Sequence, residues 1–536
     1  FEENDSRAIL YVYSFISGAD WADEVARLDR MSKITKQDVV EWANKYLGPE
    51  SYAIIYKREG KDPDEQKIAA PKITPIVTNR DSQSEFLSEI QTSQVQPIEP
   101  VFVDYKKDMS QFEAQPGIDV LYKKNETNDI FTLIYVFNTG TENDPALNLA
   151  FNYLSYLGTD KMTAEEIASE MYDIACSFYM NAGANQSSIQ ITGLSENMGK
   201  AMEIVEGLIA GAKPDEAILE NCKADMLKSR ADAKLNQSRC FGALQRYLFY
   251  GGDFIRRTTL TDPALQALTS EQLLAKIGGL MGKQHEVLYY GPQKETEIKS
   301  ALAEHHKVAA DLQPLEKKFS TLLPTDANKV VLAQYDAKQL YYLQFSNRGE
   351  KFDVAADPEI TLYNEYFGGG MNTIVFQEMR EARGLAYTAW ATLATPSNAN
   401  GDYSYYAFIA TQNDKMQKAV EAFDDIINNM PESEKAFGIA KEALVSRLRT
   451  ERTVKDGVLW SYLRARDLGL DAPRDKQIFE KVQSMTLDDV KAAQQKWVKG
   501  RKYVYGILGD IQDLDLNYLK TLGPIQTVSQ EEIFGY

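Results

Sequence analysis

Two unrelated landmarks in this chain recur at nearly one offset, and that offset constrains the fold more than any other feature. Thr269-Ser270-Glu271-Gln272 opens a helix that ends near Gly282, and the strand His285–Tyr290 follows. Thr486-Leu487-Asp488-Asp489 opens a second helix, ending at Gly500, with Lys502–Leu508 as its strand; from 269 to 486 is 217 residues. A strand at Ser188–Thr192 leads into a helix at Met198-Gly199-Lys200-Ala201. A strand at Tyr405–Thr411 leads into one at Met416-Gln417-Lys418-Ala419; from 200 to 418 is 218 residues. Self-similarity at a fixed period is an architectural signal. A period this long is that of a duplicated domain, not of a solenoid unit.

The same unit stands once more near the start. Thr35-Lys36-Gln37-Asp38 is a capping box with Asp in the third helical position. Val39, Val40, Ala43, Tyr46 and Leu47 follow at helical spacing, Gly48-Pro49 stops the helix, and Ser51–Tyr56 reads as a strand. Residues 1–58 therefore read as the C-terminal tail of a preceding domain. Residues 59–104 carry Pro63, Pro71, Pro75, Pro97 and Pro100 among polar residues and read as a linker between halves. Residues 105–312 and 313–536 read as the two full repeats. Each mixes alternating strands with amphipathic helices, which points to an α+β domain with helices on one face of a largely antiparallel sheet.

Composition removes several classes of function. A chain of 536 residues is too long for one core. A formal charge of −19 disfavours nucleic acid and anionic membrane as partners. No apolar run is long enough to span a bilayer. Cys176, Cys222 and Cys240 are too few for a disulfide scaffold and read as buried apolar side chains. The chain opens on Phe1-Glu2-Glu3-Asn4, which suggests a piece of a longer protein.

Chemistry concentrates in Tyr366–Trp390, YFGGGMNTIVFQEMREARGLAYTAW. Gly368, Gly369 and Gly370 allow close approach to a ligand because they lack Cβ. Ile374, Val375, Met379 and Ala382 are spaced for one buried helical face. Gly384 ends the helix, and Tyr387 and Ala389 begin a strand. A cation at a helix end, Arg380, and a phenol at a strand start, Tyr387, then converge. The competing reading is a glycine turn, a surface arginine and a half-buried tyrosine.

This stretch resembles the glycine-loop and Arg/Tyr segment of the pitrilysin/insulinase-type zinc peptidases, the inverzincins. The residues that carry the resemblance are Gly368-Gly369-Gly370-Met371-Asn372, Phe376-Gln377-Glu378-Met379-Arg380 and Arg383-Gly384-Leu385-Ala386-Tyr387. The resemblance implies a clamshell of two halves around a peptide chamber, with zinc in the N-terminal half. It implies hydrogen bonds from Arg380 and Tyr387 to the substrate backbone and to the developing oxyanion. It also implies a substrate-lining role for Gly368, Gly369, Gly370, Met371 and Asn372. The partners it implies are a zinc-bearing N-terminal half, fused or separate, and a peptide substrate. Exported bacterial members point to the periplasm, with the cytoplasm as the alternative. A catalytically inactive scaffold or assembly subunit of the same fold is the rival reading.

An inverzincin site needs His-x-x-Glu-His on one helix, so that two imidazoles one turn apart face the metal. The three histidines here are His285, on an expected strand, and His305 and His306, read as a solvated helix face; Ala301 stands where a first motif histidine belongs. Counting back from Gly158-Thr159, which resembles the family's sequence after its zinc helix, puts the motif positions on Leu149, Asn152 and Tyr153. None is a suitable ligand or base, so no metal or cofactor is expected in this chain, and the chain alone should be inactive. Elemental analysis of the purified, dialysed chain should find no stoichiometric zinc. One zinc per chain, lost on replacing His305 or His306, overturns this assignment.

Overall fold

Several strands are apolar along both faces, as in Phe131-Thr132-Leu133-Ile134-Tyr135-Val136-Phe137. A strand of that kind needs cover above and below. The way this chain provides it organises the fold. The computed structural model describes residues 3–57, 60, 84–94 and 96–536. Described residues up to 94 form one unit, and those from 96 onward form another.

The second unit holds two six-stranded sheets. The first contains β1 (Ser110–Gln115), β2 (Ile118–Lys124), β3 (Ile130–Phe137), β4 (Cys176–Ala182), β5 (Ser187–Leu194) and β6 (His285–Gly291) in the order β1-β2-β6-β3-β5-β4. The second contains β7 (Lys329–Gln334), β8 (Gln339–Lys351), β9 (Thr388–Ala394), β10 (Asp402–Gln412), β11 (Val504–Gly509) and β12 (Ile525–Val528) in the order β12-β7-β11-β8-β10-β9. Five strands follow one plan: β2 and β6, like β7 and β11, are parallel, and the other pairs among the five are antiparallel. The architecture is a duplicated α+β domain. The sixth strand differs. β1 comes from upstream and pairs antiparallel with β2, whereas β12 comes from downstream and pairs parallel with β7.

Each domain's own helices cover one face of its sheet. In the first these include Leu147–Leu154, Met198–Gly211 and Ser270–Leu280; in the second, Asp357–Tyr363, Met416–Asn428 and Leu487–Ala493. The other face is covered by exchange. Helix Gln237–Thr258 leaves the first domain and sets Phe241, Leu244 and Leu248 against Leu343, Phe345, Val504 and Leu508 of the second sheet. Helix Gly457–Asp467 leaves the second domain and sets Val458, Leu459 and Leu463 against Leu121, Ile134, Val136 and Leu288 of the first. Each such side chain contributes about 1.5–3 kcal/mol on burial. Gly506 makes room for the first contact: a Cβ there comes 2.2 Å from Leu248 Cδ1, so the leucine has to shift to admit one. At the second, Arg466 grips Glu286 through both nitrogens of its fork, at 2.5 and 2.8 Å.

In the first unit the expected capping box forms: the Thr35 N–H donates to Asp38 Oδ2 at 2.8 Å and the Asp38 N–H to Thr35 Oγ1 at 3.2 Å. The helix it starts, Lys36–Tyr46, leaves Val39, Trp42 and Tyr46 exposed. The strand expected at Ser51–Tyr56 is not one; this segment has no ladder, and Tyr52, Ile54, Ile55 and Tyr56 are exposed. A strand exists only beside an edge, and among the described residues of this unit there is none. Of the expected linker, residues 59, 61–83 and 95 lie outside the described residues, Glu85–Thr92 is helical, and 96–104 carry neither helix nor strand.

The histidines also differ from expectation. His306, expected on a solvated face, is buried, because the helix Glu295–His305 ends just before it and turns it into the core. Its Nδ1 lies 2.6 Å from Glu206 Oε1 and its Nε2 lies 2.8 Å from His285 Nε2, with the Tyr135 ring 4.1 Å away. His285 Nδ1 donates to the Lys283 carbonyl at 2.8 Å, which can only accept. The neutral His285 ring therefore accepts at Nε2, and His306 donates. A further proton on His285 sets two N–H groups head to head.

Burial, and then the neighbouring His306, hold His285 down at about 4, against an ordinary 6.5. The folded chain keeps His285 neutral while the unfolded chain takes up a proton. Stability from this group is therefore intact above pH 6.5 and falls as pH drops toward 4. The full loss is about 3 kcal/mol. In urea titrations across that range, the advantage of wild type over His285→Gln should shrink by that amount. A gap independent of pH contradicts this account of the cluster.

Candidate functional site

The glycine loop is shaped by the strand it lies against. Helix Asp357–Tyr363 runs on into a π-helical turn, Asn364–Gly368, beside the outer edge of β9. The Asn364 amide replaces a missing strand there: its Nδ2 donates to the Leu393 carbonyl at 2.9 Å and its Oδ1 accepts from the Leu393 N–H at 2.8 Å. Gly368 is buried, and a Cβ on it meets the Ala391 carbonyl oxygen at 2.8 Å. A Cβ on Gly369 meets Trp390 Cβ at 3.3 Å. Gly368 is thus needed for the chain's own close approach, and Gly369 has little room for a side chain. Gly369, Gly370, Met371 and Asn372 face outward, with Met371 exposed.

The following helix begins as Ile374–Phe376 and widens into a second π-helical turn, Gln377–Ala382. Ile374, Val375 and Met379 are buried as their spacing predicts, but Ala382 is exposed. The wider turn has rotated it off the buried face. Gly384 then takes a left-handed conformation, φ +56°, and the chain reverses. The Gly384 N–H donates to the Arg380 carbonyl at 3.2 Å, and the Leu385 N–H to the Met379 carbonyl at 3.0 Å. The buried Thr411 Oγ1 donates to the Leu385 carbonyl at 2.6 Å and pins the reversal to β10. β9 begins at Thr388, one residue after Tyr387.

This reversal brings Arg380 and Tyr387 together. The guanidinium carbon lies 4.5 Å from the centre of the Tyr387 ring and 4.9 Å from that of Phe376. An exposed stack of this kind contributes about 0.5–1 kcal/mol. Arg380 Nε also lies 3.7 Å from Glu381. Tyr387 is 74 % exposed, so it is not the half-buried tyrosine of the competing reading. The stretch's other arginine is tied down: Arg383 bonds Asp425 at 2.8 Å and Glu378 at 3.4 Å, and the Asp425 bond, ahead of burial, holds its guanidinium above the ordinary range. The result is an open shelf carrying one phenol donor and one planar five-donor fork. Larger cavities are lined by other residues. One of about 320 Å³ is bounded by Phe102, Tyr105, Arg464 and Arg474, and one of about 490 Å³ by Phe249, Tyr250, Phe319 and Tyr406.

The motif positions of the first domain do not fit zinc. Leu149 and Tyr153 are fully buried, and Asn152 is exposed. The Tyr153 phenol is already used, donating to Ser270 Oγ at 2.8 Å and accepting from the Asp215 N–H at 2.8 Å. In the second domain Tyr363, on the corresponding helix, donates to Gln494 Oε1 at 2.6 Å. Both helices thus tie themselves to the core through a phenol. Among the described residues no three His, Cys, Asp or Glu side chains group so as to hold a metal.

Sequence reasoning missed three residues that shape the shelf. Phe376 stands four residues before Arg380, a spacing that brings side chains together on a helix, and was legible. Asn364 and Thr411 act through tertiary bonds and leave no local signal.

Among known proteins, residues 284–444 match the family model described as the peptidase M16 inactive domain. An uncharacterized zinc protease of Streptomyces coelicolor is 22 % identical over 266 residues, 46 % of this chain and 56 % of the relative. The crystal structure of a peptidase M16 inactive domain from Pseudomonas fluorescens superposes with TM-score 0.59 at 18 % identity, covering 75 % of this chain and 98 % of that one. The periplasmic protease PqqL of Escherichia coli superposes with TM-score 0.60 at 12 % identity, covering 90 % of this chain and 52 % of PqqL. The chain thus spans about half the length of the Streptomyces relative and of PqqL. Among the described residues no helix is long and apolar enough to cross a membrane.

Proposed function

The chain belongs with the pitrilysin-type peptidases, as a C-terminal half, and we propose that it completes a zinc endopeptidase whose metal lies in an N-terminal half. That half, fused or separate, is its partner, and the substrate is a peptide or short unfolded segment that enters a closed chamber. Arg380 and Tyr387 face that chamber, with Gly369, Gly370, Met371 and Asn372 beside the path of the peptide and Gly368 beneath them. The periplasm is the compartment that fits, as for the PqqL neighbour. Zinc in the other half supplies the activation of the attacking water.

One observation carries this reading. A cation lies over the ring of a phenol on an open shelf, held there by a left-handed glycine and a buried Thr–carbonyl bond. Little in the chain's own packing requires the Tyr387 hydroxyl, since the ring is 74 % exposed. When water attacks a peptide carbonyl, its oxygen gains negative charge, and a preorganised donor matters most at that moment. The phenol O–H supplies such a donor. The Arg380 fork matches backbone carbonyls of an extended peptide, and its stack on Tyr387 fixes where the phenol points.

In the enzyme assembled with its zinc-bearing half, Tyr387→Phe removes the donor and keeps the ring. We expect kcat to fall by roughly 10²–10³, about 3 kcal/mol, with little change in KM and none in Tm. Arg380→Lys keeps the charge and loses the fork, so part of its loss should appear in KM. Wild-type kcat in Tyr387→Phe removes the assignment and leaves the inactive scaffold as the better reading.

A further inference from the structure

Both full domains give up a helix to the other sheet, and each such helix stands at nearly one distance before a threonine-capped helix. Phe241 leads the stripe Phe241, Leu244 and Leu248; from 241 to 269, the cap Thr269, is 28 residues. Leu459 leads the stripe Leu459, Tyr462 and Leu463; from 459 to 486, the cap Thr486, is 27 residues. The first unit repeats the pattern. Helix Asn4–Ser17 carries Ile9, Val12, Tyr13 and Ile16, and from 9 to 35, the cap Thr35, is 26 residues. Ile9, Val12 and Ile16 fall at i, i+3 and i+7, as Phe241, Leu244 and Leu248 do, and Tyr13 stands to Ile9 as Leu463 stands to Leu459.

The stripes differ in cover. Phe241, Leu244, Leu248, Leu459 and Leu463 are buried, whereas Ile9, Val12, Tyr13 and Ile16 are all exposed. Within its own unit the helix uses its opposite side: Ser14 is buried, and its Oγ donates to the Ala19 carbonyl at 2.8 Å. The threonine-capped helices differ in the same way. The residue four positions after the cap is fully buried in both domains, Leu273 in one and Val490 in the other, but its counterpart Val39 is exposed.

Exposed apolar side chains gathered in one helical stripe about 100° wide mark a face built to be covered. Both sheets of the second unit already carry a helix of this kind, packed on Leu343 and Phe345 in one and on Ile134 and Val136 in the other. The stripe of Asn4–Ser17 therefore answers to a third sheet. In each complete domain the threonine-capped helix stays on its own sheet while the exchange helix crosses to the other. A tail built on the same plan meets two sheets, with Val39 on one and the stripe on the other.

We propose that Asn4–Ser17 is a third exchange helix, and that Ile9, Val12, Tyr13 and Ile16 seal the apolar open face of a sheet in the N-terminal half. This rests on the reading of the chain as one half of a larger protein. The surface it fits is an apolar sheet face of the kind that Leu343, Phe345, Val504 and Leu508 present to Phe241 and Leu248. Hydrogen exchange on the chain assembled with its zinc-bearing half tests it. Amides of residues 9–16 should exchange as slowly there as those of 241–248. Ile16→Asp should speed exchange of that helix many-fold or abolish assembly. Phe15→Asp, apolar and exposed in the same helix but off the stripe, should do neither. The proposal is overturned if the helix exchanges as fast in the assembly as in this chain alone, if the two variants act alike, or if the wild-type chain does not join that half. Peptidase activity of the same samples separates the two readings. An active assembly with a fast-exchanging helix removes only the exchange helix, and a slow-exchanging helix in an inactive assembly supports it while contradicting the peptidase.

Discussion

Everything in the second unit depends on two sheets that are apolar on both faces. β6 and β11 are buried along their whole length, so neither tolerates an open side. A domain with helices on one face alone exposes the other. The chain resolves this by exchange: Phe241, Leu244 and Leu248 seal the second sheet, and Val458, Leu459 and Leu463 seal the first. Neither domain has its full cover alone, so the pair behaves as one cooperative body. The Gly506–Leu248 approach and the Arg466–Glu286 fork fix the register of the exchange.

That body is the platform on which the shelf stands. β9 is the outermost strand of the second sheet, and both ends of its approach are secured. Asn364 seals its outer edge at Leu393, and Thr411 on the neighbouring strand holds the reversal at Leu385. Between these anchors the chain makes two π-helical turns and one left-handed glycine, which are departures from regular helix of the kind found near functional sites. Arg380 and Tyr387 are therefore positioned by buried bonds while remaining exposed themselves. A phenol and a guanidinium held in this way offer hydrogen-bond donors to solvent from a fixed position.

Much of this was legible in the sequence, for identifiable reasons. The recurring offset of Met198 and Met416 reported the duplication, because strand–helix units must repeat together if a sheet is to repeat. Gly384 and the spacing of Arg380 from Tyr387 reported the reversal, because a left-handed turn leaves a local trace. Tertiary events left none. β1 and β12 fill the same edge from opposite ends of their domains, which no internal comparison reveals. Ser51–Tyr56 has strand composition but no edge to join. His306 looked like part of a polar helix until its carboxylate partner, Glu206, was seen a hundred residues away. Ala382 followed a regular helical count that the π turn broke. Leu149, Asn152 and Tyr153 were unsuitable for zinc by residue type alone, and the buried phenol of Tyr153 gives the physical reason.

The central claim is that the shelf of Arg380 and Tyr387 faces bound peptide in the assembled protein. Oxidative footprinting of Tyr387 reads this directly, because the ring is open to solvent in this half. The chain assembled with its zinc-bearing half is labelled with and without a non-cleavable peptide, and Tyr172, an exposed tyrosine on the first domain, serves as the internal reference. The account predicts that peptide lowers Tyr387 labelling several-fold while Tyr172 is unchanged. Equal labelling of Tyr387 with and without saturating peptide contradicts it.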